Sequence, residues 1–128
     1  MLPQQERLKK SSEFSTVYNQ RKSVANSLLI LYVGKKKQSP NELTKVGFVI
    51  GKKISKKSTS RNRIKRLMRE AYKKVLNSND SNKINWNRII FLARPNILEV
   101  EFKEVYDNVI DCLKKAGNKY GYSDLGEK

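Results

Sequence analysis

The amino-acid sequence predicts a mixed α+β fold organised as a single domain. Three short apolar runs have the length and composition of β-strands: "SLLILYV" at 27 to 33, "KVGFVIG" at 45 to 51 and "NRIIFLA" at 87 to 93. Two longer stretches repeat apolar residues at helical spacing, one from Ile64 and one from Phe102. With 128 residues, 38% of them hydrophobic, the chain is long enough for one modest core.

The first two apolar runs are expected to pair as antiparallel strands, because the segment between them is rich in turn-forming residues. Alternation in the second run places its larger side chains on one face, and it places Gly47 and Gly51 on the other. A partner could approach that shallow face closely. The third run is typical of a buried strand and is expected to stop before Pro95.

A short first helix is predicted where Phe14, Val17 and Tyr18 follow one another at helical spacing, behind serines suited to an N-cap. The second helix is expected to be capped by "STS" at 58 to 60. Its apolar stripe consists of Ile64, Leu67, Met68, Ala71, Tyr72, Val75 and Leu76.

The final helix has an apolar stripe and a strongly acidic remainder. The stripe consists of Phe102, Val105, Tyr106, Val109, Ile110 and Leu113. From Lys114 the periodicity fades, so an irregular tail is predicted. The domain is expected to span 1–128, with mobile ends at about 1–8 and 115–128.

Composition narrows the possible functions. The formal charge is +16, from 28 Lys and Arg against 12 Asp and Glu, which favours a polyanionic partner such as nucleic acid. Histidine is absent and there is one cysteine, so neither a zinc cluster nor a Ser-His-Asp or Cys-His site can be assembled. No apolar run is long enough to span a bilayer or to serve as a secretory signal, so a cytoplasmic protein without a membrane partner is expected.

The positive charge is concentrated between Lys52 and Lys74, where eleven cations accompany one acid. A solvated helix face is the ordinary explanation for such a run. However, cations at the start of a helix oppose the helix dipole, which costs about 0.3–1 kcal/mol each. Four of them, Arg61, Arg63, Lys65 and Arg66, are predicted to crowd that end, and this favours a bound anion such as phosphate.

The segment "RNRIKRLMREAY", beginning at Arg61, resembles the signature of the protein subunit of bacterial ribonuclease P. The resemblance extends to "RLKKSSEFSTVY" near the start, "SVAN" at 23 to 26, "VGFVIGKKI" before the basic segment and "FLARP" after it. It implies a two-layer α/β sandwich in the order αβββαβα. It also implies a four-stranded sheet and a left-handed βαβ crossover, like the second domain of ribosomal protein S5.

The resemblance also implies a division of labour, in which a catalytic RNA holds most of the Mg²⁺ and performs the hydrolysis. The protein would bind that RNA and the 5′ leader of precursor tRNA, and would itself be non-catalytic. The residues implied for the catalytic RNA are Arg61, Asn62, Arg63, Lys65, Arg66 and Arg69. The residues implied for the leader are Phe14, Tyr18, Ile30, Tyr32, Lys52, Lys53 and Lys56.

Other functions stay open at this stage. Phe14 and Tyr18 have the spacing of ordinary core residues, and without the resemblance that assignment would be preferred. A ribosomal or other structural RNA-binding protein would show the same size and charge. A helix-turn-helix protein is disfavoured because the basic helix lies between strands. A stand-alone nuclease would cleave precursor tRNA without any added RNA.

Overall fold

The computed structural model describes residues 6–39, 42–51, 53–54, 57–78 and 84–120, and it contains helices and strands in the predicted order αβββαβα. The helices are α1 (Ser11–Asn19), α2 (Ser58–Leu76) and α3 (Phe102–Tyr120). The strands are β1 (Lys22–Ala25), β2 (Leu29–Val33), β3 (Lys45–Val49) and β4 (Arg88–Ala93). A 3₁₀ turn at Pro95–Glu99 joins β4 to α3.

The four strands form one sheet in the order β1-β2-β4-β3. The two apolar runs predicted to pair as antiparallel strands form β2 and β3. That pairing is wrong, because β4 lies between them. β4 pairs antiparallel with β2 and parallel with β3, and α2 makes the crossover between the two parallel strands. β4 takes an inner position in the sheet because it is apolar on both faces. Its consecutive residues Ile89, Ile90 and Phe91 are all buried and need cover on both sides.

The main core lies between α2, α3 and one face of the sheet. On β2 the alternate residues Leu29, Leu31 and Val33 are fully buried on this face. The predicted stripe of α2 is confirmed, with Leu67 and Leu76 partly buried at its margins. The fully covered members of that stripe are Ile64, Met68, Ala71, Tyr72 and Val75.

A smaller cluster lies on the opposite face, under α1. Val17 of α1 and Leu8 of the preceding segment pack there with Ile90 of β4. Leu8 also donates its backbone N–H to the carbonyl of Val46, at 3.0 Å, which attaches the N-terminal segment to the outer edge of β3. Residues 6 to 8 therefore contact the sheet, while the mobility of the chain ends stays a prediction.

At the other end of the chain, α3 continues past the predicted boundary at Lys114. Ala116 and Gly117 are buried, so the apolar face persists for another turn. The hydroxyl of Tyr120 accepts a hydrogen bond from the N–H of Ser23 at 3.0 Å and donates one to its carbonyl at 3.2 Å. The predicted irregular tail was thus wrong for 115 to 120, while 1 to 5 and 121 to 128 lie outside the described residues.

Both predicted serine caps are also wrong. α1 begins after Lys10, and the Glu13 carboxylate accepts the backbone N–H groups of Lys9 and Lys10 at 3.0 and 3.2 Å. α2 begins after Lys57, so the serines at 58 and 60 lie inside its first turn. In both helices the serine side chains follow the position at which a cap would act.

The shallow face of β3 is occupied by the chain itself. The Phe14 ring lies over Gly47, and a Cβ at Gly47 would be 2.6 Å from Phe14 Cε1. The close partner expected at this face is therefore an aromatic side chain of α1. Glycine at this position permits a contact between helix and strand that any other residue would obstruct.

We expect Gly47→Ala to destabilise the protein by about 1–3 kcal/mol, because the added methyl group must displace the Phe14 ring. Gly51→Ala is the matched control, since among the described residues a Cβ there would approach the Lys53 backbone nitrogen alone, at 3.9 Å. Urea unfolding of both variants measures the difference. Equal stability losses would show that Phe14 does not hold α1 on the sheet.

Candidate nucleic-acid interface

The basic helix α2 presents three different surfaces around its buried stripe. Asn62 and Arg66 are exposed and lie on the outward face. Lys65 and Arg69, one turn apart, lie toward the β3 edge, where both line a surface cavity. Arg63 lies on the opposite flank and is half-buried.

Arg63 differs from its neighbours because it is part of the packing between α2 and the segment before α3. Its Nη2 donates a hydrogen bond to the carbonyl of Val100 at 3.2 Å. About three turns further along α2, the Lys74 ammonium lies 4.6 Å from the ring centroid of Tyr106 and 5.8 Å from that of Phe102. On this flank of α2 the cations therefore contact other residues of the same chain.

The helix-dipole argument from the sequence applies to fewer residues than expected. Since α2 begins at Ser58, only Arg61 among the predicted cations lies in the first turn. Arg63, Lys65 and Arg66 lie beyond the first turn, where the effect of the dipole has largely decayed. No acidic residue lies in the first turn, so the start of α2 keeps its positive potential.

The cleft beside α1 contains an aromatic pair. The rings of Tyr18 and Tyr32 meet edge to face with their centroids 4.9 Å apart. Tyr18 is 37% exposed, whereas Phe14 is half-buried against Gly47. Burial, with a smaller effect from Tyr32, raises the pKa of the Tyr18 hydroxyl, which therefore stays neutral at the pH of the cell.

Beside the tyrosines, a row of half-buried apolar side chains crosses the sheet. Ile30 of β2 lies opposite Leu92 of β4, and Leu92 lies opposite Val49 of β3. Sequence reasoning identified Ile30 but missed Leu92 and Val49. Alternation along β4 was the available signal for Leu92, but the unbroken apolar run concealed it.

The lysines implied for this cleft are only partly described. Lys53 is exposed shortly after β3, whereas Lys52 and Lys56 lie outside the described residues. The structure thus brings Tyr18, Tyr32 and Ile30 to one face, with Phe14 beneath the helix.

Glu13 links α1 to two strands. Besides the two backbone N–H groups, its carboxylate contacts Lys45 Nζ at 3.1 Å and Arg88 Nη2 at 3.9 Å. The backbone hydrogen bonds from Lys9 and Lys10, with a smaller contribution from Lys45, lower the pKa of Glu13 to about 2. This carboxylate fixes the start of α1 over the edge of the sheet.

Three comparisons with known proteins agree. The ribonuclease P family model matches residues 2–117. The chain is 40% identical over 109 residues to the ribonuclease P protein component of Alkaliphilus oremlandii, covering 85% of this chain and 89% of the relative. For that of Clostridium kluyveri the identity is 39% over 111 residues, covering 87% and 94%.

Among solved structures, the Staphylococcus aureus RNase P protein matches with a TM-score of 0.71 at 29% identity, over 87% of this chain and 94% of that chain. The fold and the basic helix, together with these matches, define an RNA-binding protein of a ribonucleoprotein. The chain belongs to the ribonuclease P protein family, whose role is the processing of tRNA 5′ ends. None of the described helices has the length and hydropathy needed to cross a membrane.

The pKa of Glu13 predicts a component of acid sensitivity. Because the folded-state value of about 2 lies below the ordinary 4.5, the carboxylate stabilises the fold fully above that ordinary value. This contribution is lost as the pH falls toward about 2. The stability difference between the wild type and Glu13→Gln should therefore shrink on acidification, as measured by urea unfolding at several pH values.

Glu99→Gln, which removes an exposed carboxylate from the 3₁₀ turn, is the control. A Glu13→Gln difference that stays constant over the same pH interval would show that the Glu13 contacts do not stabilise the fold.

Proposed function

We propose that the protein is the non-catalytic subunit of ribonuclease P and binds two RNAs on two surfaces. The catalytic RNA contacts α2, and the 5′ leader of precursor tRNA lies along the cleft beside α1. The observation that carries the proposal is the placement of these surfaces on opposite faces of one sheet. α2 packs with the main core, whereas α1 covers part of the other face.

The surface for the catalytic RNA consists of the outward face of α2 and its flank toward β3. Arg66 and Asn62 are exposed, while Arg61, Lys65 and Arg69 are half-buried beside them. Guanidinium groups bind phosphate through paired N–H donors, which suits an RNA backbone. We assign Arg63 a structural role there, since its guanidinium bonds to Val100.

The acidic face of α3 limits where RNA can lie. Exposed carboxylates repel phosphate, and α3 and the residue before it carry several. The exposed members near the start of this helix are Glu101, Glu104 and Asp107. RNA bound to α2 is therefore expected to extend away from α3, toward β3 and the N-terminal segment.

The surface for the leader consists of Tyr18, Tyr32 and the row formed by Ile30, Leu92 and Val49. Aromatic and apolar faces stack on unpaired bases with little sequence preference, which suits leaders of varied sequence. Lys53 is exposed near this surface and would contact the backbone of the strand. Phe14 supports the surface from beneath by packing on Gly47.

Mg²⁺ is proposed to be held mainly by the RNA subunit. The described residues bring together no group of three or more His, Cys, Asp or Glu side chains that would suit a metal ion. The protein's part is to bind and orient both RNAs, in the cytoplasm. Assaying cleavage of precursor tRNA with and without the catalytic RNA separates this proposal from a stand-alone nuclease.

We expect Arg66→Ala to weaken assembly with the catalytic RNA and to reduce the slope of log K against log salt by roughly 0.9, because one phosphate contact is lost. Lys103→Ala, on α3, removes the same charge from a surface ion pair with Asp107 and is the control. Filter binding at several salt concentrations measures both. Identical slopes for the two variants would place Arg66 outside the interface.

Tyr18→Ala should weaken binding of precursor tRNA to the assembled enzyme by about 1–3 kcal/mol, because one stacked base is lost. Mature tRNA, which lacks the leader, should bind with unchanged affinity. Tyr106→Ala removes an aromatic ring from α3, on the other side of the sheet, and is the control. Equal weakening of precursor and mature tRNA by a folded Tyr18→Ala protein would contradict the leader assignment.

A further inference from the structure

A surface cavity of about 310 Å³ lies at the outer edge of β3. One wall is the N-terminal segment with Arg7 and Leu8, and another is the flank of α2 with Lys65 and Arg69. The Phe14 ring and β3 itself complete the lining. The cavity therefore touches both the basic helix and the aromatic residue that supports the leader cleft.

The charged side chains that line this cavity are all cationic: Arg7, Lys65 and Arg69. The carboxylate of Glu13, on the same helix as Phe14, is already engaged by Lys45 and by two backbone N–H groups. The cavity thus brings three cations to a small concave surface, and the Glu6 carboxylate lies within electrostatic reach of the neighbouring Tyr72 hydroxyl.

Arg7 is the most informative of these residues. Its Nε is buried and has no hydrogen-bond partner among the described residues. A buried N–H without an acceptor is costly, and the cost is greater when the group is charged. Because Arg7 also lines the cavity, an anion bound there would offset the charge of this guanidinium, whose geometry suits a phosphate.

The backbone of β3 adds a donor at the same edge. Lys45 donates its N–H to the Asn87 carbonyl, toward the interior of the sheet. Because backbone groups alternate in direction along a strand, those of Val46 and Phe48 point to the outer edge. The Val46 carbonyl accepts the Leu8 N–H, and Phe48 lines the cavity, where its outward N–H is expected to lie. Behind it lies Tyr72, whose buried hydroxyl has no partner within the described part of the chain.

We propose that this cavity binds one backbone phosphate of an RNA strand that crosses the β3 edge, with Arg7, Lys65 and Arg69 as its ligands. The site rests on the proposed function and extends it to the N-terminal segment. Its volume suits a single nucleotide unit of a strand. The phosphodiester belongs either to the catalytic RNA or to the leader, which present the same chemistry.

The test substitutes Arg7→Gln in the full chain and compares it with Lys103→Gln, which removes an equal charge from α3, and with Arg66→Gln on the outward face of α2. Two binding assays are run over a range of salt concentrations. One uses the catalytic RNA alone, and the other uses precursor tRNA added to the assembled enzyme. Thermal melting of each variant shows which proteins remain folded.

Arg7→Gln is expected to weaken binding several-fold relative to Lys103→Gln and to lower the salt slope by roughly 0.7–0.9, as one lost phosphate contact should. An effect with the catalytic RNA alone identifies that RNA as the source of the phosphate. An effect only with precursor tRNA identifies the leader. If Arg7→Gln matches Lys103→Gln in both assays, the proposed site is overturned.

Arg66→Gln separates failure of this site from failure of the proposed function. If Arg66→Gln weakens RNA binding and Arg7→Gln does not, the proposed site alone is rejected. If neither variant differs from Lys103→Gln, both the site and the proposed function are rejected. The wild-type protein offers a test without substitution, by nuclear magnetic resonance. Inorganic phosphate should shift the Arg7 Nε–H and Phe48 amide signals more than the Lys103 amide, and equal shifts would overturn the site.

Discussion

The burial of β4 on both faces determines how the other strands and helices are arranged. Ile89 and Phe91 face the main core, while Ile90 between them is buried under α1. A strand with no polar face must lie inside the sheet and be covered on both sides. Because β3 then pairs with β4 in parallel, the chain between them must cross over, and that crossover is the basic helix.

On the second face of the sheet, α1 covers only part of the strands, and the part that it leaves accessible forms a surface. α1 is held by Phe14 on Gly47 and by the Glu13 contacts to Lys45 and Arg88. It covers Ile90 but leaves the neighbouring row at Leu92 half-buried. The half-buried apolar row is thus a consequence of where α1 is attached, and it lies on the side of the sheet opposite the main core.

Local patterns in the sequence predicted the parts of the fold that depend on local chemistry. The α2 stripe was correct because helical periodicity directly reports which side chains face the core. Strand pairing was wrong because alternation identifies a strand without identifying its neighbour. The end of α3 was missed because glycine is typical of helix ends. In the structure Gly117 is buried inside α3, and the Tyr120 hydroxyl attaches the last turn to Ser23.

The candidate site was predictable to a similar extent. The sequence located the basic helix, but it could not show that the Val100 carbonyl lies opposite Arg63. The contribution of Arg7 was also hidden, because a lone arginine near the start of the chain has no local pattern. These assignments depend on contacts between residues far apart in the chain, which periodicity does not report.

The central claim is that opposite faces of one sheet bind different RNAs, and site-specific photo-crosslinking tests it most directly. A benzophenone side chain is placed at position 66 on α2 in one protein and at position 92 on β4 in another. The probe at 66 should crosslink to the catalytic RNA whether or not tRNA is present, and the probe at 92 should crosslink to the leader of precursor tRNA. Crosslinking of both probes to the same RNA would contradict the claim.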